Sequence, residues 1–207
     1  MLNNKGFDMW ANDYDKSVGL SYENNVYPFA GYKDLLNTIY NNIRTKDTGK
    51  ILDIGFGTAT LTKKLYDDNY DIFGVDFSKE MINIAKQKMP NASLFCYDFS
   101  NGLPKNLKNE KFDFIISTYA IHHLTDIQKI YFFKLLYKML NNNGKILIGD
   151  VAFYTKKELD KCRQDNIDYW DNDEIYITFD FLKQNLKEFN ISFTPISFCS
   201  GIVCIEK

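Results

Sequence analysis

The 207-residue sequence has few of the residues that build metal sites and disulfide frameworks. It contains four cysteines and two histidines, and no two cysteines form a C-x-x-C pair. No zinc ligand set with the customary spacing can be assembled from them, and a chain of this length buries a core without disulfides. We therefore expect no metal site, and we interpret the cysteines as small buried hydrophobes.

Long apolar runs and basic runs are also missing. No stretch approaches the roughly 20 apolar residues that a membrane span requires, and the first residues lack the apolar core of a signal peptide. The net charge is −2, no Lys/Arg run exceeds two residues, and Arg44 and Arg163 are the sole arginines. Because arginine is the residue best suited to phosphate and guanine recognition, this composition argues against a nucleic-acid partner. We expect a cytoplasmic protein with neither a membrane nor a nucleic-acid partner.

What the sequence does contain is an alternation of short apolar runs with helical patterns. Such a rhythm is typical of a parallel sheet that is buried on both faces, in a doubly wound α/β fold. Two strands close in sequence at the carboxyl end predict an antiparallel hairpin, because a parallel crossover needs more residues. The predicted strands are 50–54, 72–75, 93–97, 112–116, 145–148, 191–193 and 202–205; the predicted helices are 32–43, 58–66, 79–89, 126–140 (ended by Asn143-Gly144) and 179–189.

The loop after the first predicted strand has the pattern G-x-G-x-A behind an acidic residue, from Asp53 to Ala59. The two glycines permit a tight turn and the approach of a ligand to bare backbone, whereas a dinucleotide site would want a further glycine where Thr60 stands. A plain strand-helix turn is the alternative. Ligands of this fold bind at the carboxyl ends of the strands, beside this loop.

Acidic residues follow the next two strands. Asp76 lies 21 residues after Gly55, where a carboxylate can accept both hydroxyls of a ribose, and Asp98 is placed to accept from an adenine amino group. Phe77 and Met81 can form apolar walls around the ring. The alternatives are that the two carboxylates form strand-end turns and that the two apolar side chains belong to the core.

Five segments of the sequence resemble the successive motifs of the class I S-adenosylmethionine-dependent methyltransferases. They are Ile51–Thr60, Gly74–Ser78, Cys96–Phe99, Phe112–Leu124 and Asn143–Ile148. The resemblance is closest to small bacterial methyltransferases of the YrrT type and covers nearly the whole chain. Two departures are Ala59, where the family has a third glycine, and Asn142-Asn143, where it often has Pro-Gly.

The resemblance implies a Rossmann-like, seven-stranded sheet and S-adenosylmethionine as cofactor. It places Gly55 and Gly57 against the methionine portion, Asp76 on the ribose, and Asp98 and Phe99 at the adenine, while Asp53 orders the loop. The remaining expected cofactor contacts are Tyr14, from the cap-like segment Trp10–Asp15, together with Thr58, Phe77, Met81 and Thr118.

The catalytic candidates are His123 and Tyr14. His122 or His123 follows the fourth strand and could accept a proton, although a histidine at this turn can instead order the loop. Tyr14, Tyr32, Tyr119 and Tyr154 are candidates to line the site, because their ring faces can stabilise a sulfonium. Core packing is the alternative for each tyrosine.

We expect one domain with a cap (1–32), a cofactor-binding core (33–150), a lid (151–177) and a carboxyl-terminal helix and hairpin (178–207). Ser117–Ala120 follows the fourth strand in place of the Asn/Asp-Pro-Pro-Tyr/Phe of amino-directed DNA methyltransferases. A small-molecule acceptor is therefore favoured, and the acidic stretch 158–174 favours a neutral or cationic one. A monomer and a homodimer both remain open, as do a non-catalytic S-adenosylmethionine-binding module and a nicotinamide-dependent oxidoreductase.

Overall fold

The structure, a computed structural model, describes residues 25–207. The predictions that fall on residues 1–24, including the roles of Trp10 and Tyr14 and most of the expected cap, lie outside the described residues.

Six α-helices and eight strands alternate along this part of the chain. Short 3₁₀ turns at Phe99–Asn101, Lys105–Leu107, Ile121–His123 and Ile167–Tyr169 connect some of them. The helices are α1 (Tyr32–Ile43), α2 (Thr60–Asp67), α3 (Lys79–Lys88), α4 (Asp126–Lys138), α5 (Lys156–Asp165) and α6 (Phe179–Asn185). The strands are β1 (Lys50–Ile54), β2 (Asp71–Asp76), β3 (Ser93–Cys96), β4 (Phe112–Thr118), β5 (Leu140–Phe153), β6 (Ile177–Thr178), β7 (Asn190–Pro195) and β8 (Ser200–Glu206).

The strands form one sheet in the order β3-β2-β1-β4-β5-β8-β7. The first five pair in parallel, and β8 pairs antiparallel with both β5 and β7. The doubly wound fold and its antiparallel hairpin are therefore confirmed. An eighth strand is additional to the seven expected: β6 pairs in parallel with the end of β5, at Ala152–Ile177 and Phe153–Thr178.

The prediction that Asn143-Gly144 ends a helix was wrong. Helix α4 ends at Lys138, and β5 already begins at Leu140. Asn143 has a left-handed φ of 62° inside the strand, and its N–H donates to the carbonyl of Lys207 at 3.0 Å. The pair therefore forms an irregularity of the strand, where the pairing of β5 with β4 shifts register.

Helices cover both faces of the sheet. On one face, α1 and α2 pack against side chains such as Ile51 and Ile116. On the other, α4 and α6 pack against Leu52 and Ile54. Since strand residues alternate between the two faces, successive apolar residues of β1 serve both cores. Within residues 25–207, no helix combines the length and apolar character of a membrane span.

Candidate cofactor and acceptor site

The loop between β1 and α2 depends on backbone conformations that favour glycine. Gly55 and Gly57 have φ values of 69° and 54°. A Cβ on Gly55 would lie 2.5 Å from the Cβ of Ala120, whereas one on Gly57 would meet no atom of residues 25–207 within 4 Å outside its chain neighbours. Ala59, where the family has a third glycine, keeps the left-handed conformation at φ 61°. The sequence therefore preserves the loop geometry at a cost of about 1–2 kcal/mol for the alanine.

Asp76, at the end of β2, holds this loop in place. The carboxylate is buried; Oδ2 accepts from the N–H of Gly57 and Oδ1 from the N–H of Ser78, both at 2.9 Å. A carboxylate oxygen can accept more than one hydrogen bond, so Asp76 retains acceptor capacity for a hydroxyl. The expected turn-forming role and the expected ribose contact are compatible at this residue.

Asp53 is the most unusual carboxyl group of the site. It is 2% exposed, and its Oδ2 accepts from the hydroxyl of Thr62 on α2. Among residues 25–207, Oδ1 has no hydrogen-bond partner although it is buried. Burial, and secondarily the charge of Asp76, raise the pKa of Asp53 to about 7. A buried carboxyl group with an unsatisfied oxygen is suited to receive a cationic donor.

A cavity of about 150 Å³ lies at this end of the sheet, beside the glycine loop. Five of the residues predicted to bind cofactor line it: Asp53, Gly55, Gly57, Thr58 and Thr118. Its other lining residues are Phe29, Tyr32, Leu36, Phe56, Thr60, Leu61, Thr62 and Tyr119.

Three aromatic rings form one wall of this cavity. The ring of Tyr119 lies 5.2 Å from that of Phe29 and 5.4 Å from that of Tyr32, measured between centroids. Tyr119 has a left-handed φ of 50°, which is uncommon for a bulky residue and typical of functional sites. Tyr32 and Tyr119 were predicted to line the site; Phe29 was not singled out, because no sequence pattern indicates which cap aromatic faces the loop.

The residues expected at the adenine lie along the ends of β2 and β3, outside the lining of the cavity. Phe77 is 68% exposed, and Met81 is partly buried on α3. Asp98 is exposed and caps a 3₁₀ turn, accepting from the N–H of Ser100, and hydrogen bonds from this serine lower its pKa. Phe99 is buried, and a Cβ on Gly55 would lie 3.6 Å from its ring. The edge thus presents an exposed ring and a carboxylate next to the loop.

The two adjacent histidines have different environments. His122 is buried, and its Nδ1 lies 2.7 Å from Oδ1 of Asp150, a carboxylate with 0% exposure within the last part of β5. Burial alone lowers the pKa of His122, but Asp150 and Glu174 outweigh it and raise the pKa above its ordinary value. His123 is exposed overall. Desolvation of the covered part of its ring, and secondarily the neighbouring His122, lower its pKa. Asp150 was not predicted as a site residue, although an acidic residue just after the fifth predicted strand (145–148) was a usable signal.

Residues of the expected lid contact residues that precede α1. The ring of Trp170 stacks on Tyr27 at 5.2 Å, and the hydroxyl of Tyr27 is hydrogen-bonded to that of Tyr176. The acidic stretch is largely exposed. Tyr154, by contrast, packs on Phe179, 5.3 Å away, and does not line the cavity.

Comparisons with known proteins agree with this arrangement. The profile of a methyltransferase domain family matches residues 51–144. An uncharacterized methyltransferase of Anoxybacillus flavithermus is 38% identical over 151 residues, which are 73% of this chain and 68% of that protein. One of Alkaliphilus oremlandii is 32% identical over 193 residues, which are 93% of this chain and 86% of that protein. Among solved structures, magnesium protoporphyrin IX methyltransferase from Synechocystis with bound SAH has a TM-score of 0.70 at 16% identity, covering 99% of this chain and 95% of that one.

The sheet order and the glycine loop define a Rossmann-like methyltransferase fold. The chain belongs to the class I S-adenosylmethionine-dependent methyltransferases. The family resemblance of its motifs is thereby confirmed, and S-adenosylmethionine is the cofactor of this family.

Proposed function

We propose that this protein transfers the methyl group of S-adenosylmethionine to a small-molecule acceptor by in-line displacement. The observation that carries the proposal is the buried Oδ1 of Asp53, which has no hydrogen-bond partner among residues 25–207 and lies in a cavity lined by the glycine loop and by aromatic rings. The amino-acid part of the cofactor carries an ammonium group, which would supply the missing donor. The residues present therefore fit this cofactor.

The remaining contacts follow from the order of the strand ends. The backbone of Gly55 and Gly57 would hold the methionine portion. Asp76 would accept from the ribose hydroxyls with the acceptor capacity that its bonds to the loop leave free. Phe77, with its largely exposed ring, and Asp98 would contact the adenine. The exposure of the Phe77 ring leaves its face available to a ligand.

When bound, S-adenosylmethionine supplies an activated methyl group, since its sulfonium leaves as a neutral thioether. The chain's task is then to align the acceptor with that methyl group, and such positioning contributes roughly 7–11 kcal/mol. The rings of Phe29, Tyr32 and Tyr119 offer faces that attract a cation and exclude water. His123 as a proton acceptor remains a prediction.

A lid formed by residues 151–177 would limit the acceptor to a small molecule. Tyr27, which precedes α1, stacks on Trp170 of this segment and is hydrogen-bonded to Tyr176. These contacts support the lid. The exposed acids of this segment favour a neutral or cationic acceptor.

Turnover of methyl-labelled S-adenosylmethionine in the presence of a fractionated bacterial metabolite extract tests the proposal. We expect S-adenosylhomocysteine and a labelled product of low molecular mass to form in equal amounts. An Asp53→Asn variant is the control for adventitious transfer and should be strongly impaired. Label confined to protein or nucleic acid would refute the small-molecule acceptor, and binding without turnover in any fraction would favour a non-catalytic module.

A further inference from the structure

Two histidines and one carboxylate converge where the 3₁₀ turn after β4 meets the segment before β6. One ligand atom each of His122, His123 and Glu174 lies within 4.8 Å of the other two. Nε2 of His122 is 3.4 Å from Oε1 of Glu174. Two donors bound to one tetrahedral zinc ion at about 2.0–2.1 Å are roughly 3.3 Å apart, so this pair already has the spacing of metal ligands.

The buried ligand, His122, is held in the orientation and tautomer that a metal site needs. Asp150 accepts three hydrogen bonds. The backbone N–H groups of Val151 and His122 donate at 2.8 and 3.2 Å, and Nδ1 of the His122 ring donates at 2.7 Å. A carboxylate in this position keeps the proton on Nδ1 and leaves the Nε2 lone pair available. Carboxylate–histidine pairs of this kind are the usual outer shell of metal-binding histidines.

The second ligand, Glu174, is fixed in a similar way. Its Oε2 accepts from the hydroxyl of Tyr176 at 2.6 Å, which leaves Oε1 as the oxygen that faces His122. The backbone N–H of Ile175 donates to the carbonyl of His122 at 2.9 Å. Nζ of the buried Lys129 bonds the carbonyls of Leu124 and Ile175, each at 2.6 Å. One main-chain hydrogen bond and the side chain of Lys129 therefore connect the two segments that supply the ligands.

His123 completes the set. Its ring centroid lies 4.4 Å from that of His122, and because the residue is exposed, its ring can turn to shorten the remaining distance. Two imidazoles and one carboxylate are donors that suit borderline divalent ions such as Zn²⁺, Co²⁺, Ni²⁺ and Fe²⁺ rather than Mg²⁺ or Ca²⁺.

We propose that His122, His123 and Glu174 form a binding site for one divalent transition-metal ion, oriented by Asp150. Three protein ligands leave at least one coordination position open for water or for a donor atom of the acceptor. The proposal assigns His123 to the metal rather than to proton transfer. It replaces the expectation of no metal site, which rested on spacing along the sequence and could not include the distant Glu174. The site does not depend on the proposed methyl transfer.

Titration of the metal-stripped, tag-free protein with Co²⁺, followed by visible absorption and calorimetry, tests the site. A Cys96→Ser background removes a competing ligand, because this thiol is exposed and not buried as expected. We expect one Co²⁺ per chain with visible bands of nitrogen and oxygen ligation, and at least a tenfold loss of affinity in His123→Ala and in Glu174→Gln. Asp173→Asn, which removes a neighbouring exposed carboxylate, should leave the affinity unchanged.

His123→Ala is the decisive variant because the side chain is exposed and its loss should not impair folding. Far-UV circular dichroism checks that each variant is folded. Absence of stoichiometric binding by the folded parent protein, or equal affinity in the parent and His123→Ala proteins, would overturn the proposal. In either case the cluster would be a positioning network for His122.

Discussion

Binding of the cofactor should release a proton from Asp53. The pKa of this buried carboxyl group is raised from 3.8 to about 7, so the group is largely protonated at pH 6 in the free protein. If the ammonium of S-adenosylhomocysteine supplies the donor that Oδ1 does not find within residues 25–207, the ionised form is favoured and the pKa of Asp53 falls. We expect close to one proton released per ligand at pH 6, about half a proton at pH 7 and little at pH 8. The enthalpy measured by calorimetry at pH 6 should accordingly differ between phosphate and Bis-Tris buffers.

The same shift has a consequence for stability. An acid whose pKa is raised in the folded state stabilises the fold fully below its unfolded pKa and loses that contribution as pH rises toward 7. The three-unit difference corresponds to about 4 kcal/mol for Asp53. Asp53→Asn should therefore remove this part of the pH dependence between pH 4 and 7, abolish proton release and weaken binding. Equal enthalpies in both buffers for the parent protein, or proton release that persists in Asp53→Asn, would show that Asp53 does not release a proton on cofactor binding.

Three further perturbations probe other parts of the site. Asp76→Ala should weaken cofactor binding at least tenfold, since each hydrogen bond to the carboxylate contributes about 1.5–3 kcal/mol. It should also lower stability, because the N–H groups of Gly57 and Ser78 lose their acceptor. An unchanged dissociation constant would remove Asp76 from the site. Gly57→Ala should reduce affinity far more than thermal stability. The added Cβ meets no atom of residues 25–207 within 4 Å outside its chain neighbours, but it forces a strained φ and fills space beside the loop. An equal loss of affinity and stability would show that the loop has misfolded. In hydrogen exchange, amides of residues 151–177 should gain protection when S-adenosylhomocysteine binds, and no change there would show that the lid is incorrect.

Most strands of the sheet follow from local patterns. The prediction for Lys50–Ile54 matches β1 residue for residue, and Ser78 and Thr125 cap α3 and α4 as their side chains suggest. Patterns of this kind depend on neighbours in sequence, which the sequence displays directly. The glycine loop is predictable for the same reason, since each glycine's role is local.

Features that depend on contacts between residues distant in sequence could not be predicted from local patterns. Strand β6 exists because the chain returns beside Phe153, and its two residues carry no distinctive pattern. The left-handed φ of Tyr119 could not be predicted from its residue type, because bulky residues rarely adopt it. The contact between His122 and Glu174 joins two segments whose proximity is set by the sheet.

Calorimetric titration of the full chain shows whether the cavity beside the glycine loop holds S-adenosylmethionine. S-adenosylmethionine and S-adenosylhomocysteine should each bind at one site per chain, with Asp53→Asn weakening both, while NAD gives no response. Tight binding of NAD with no response to either sulfur nucleoside would contradict the account.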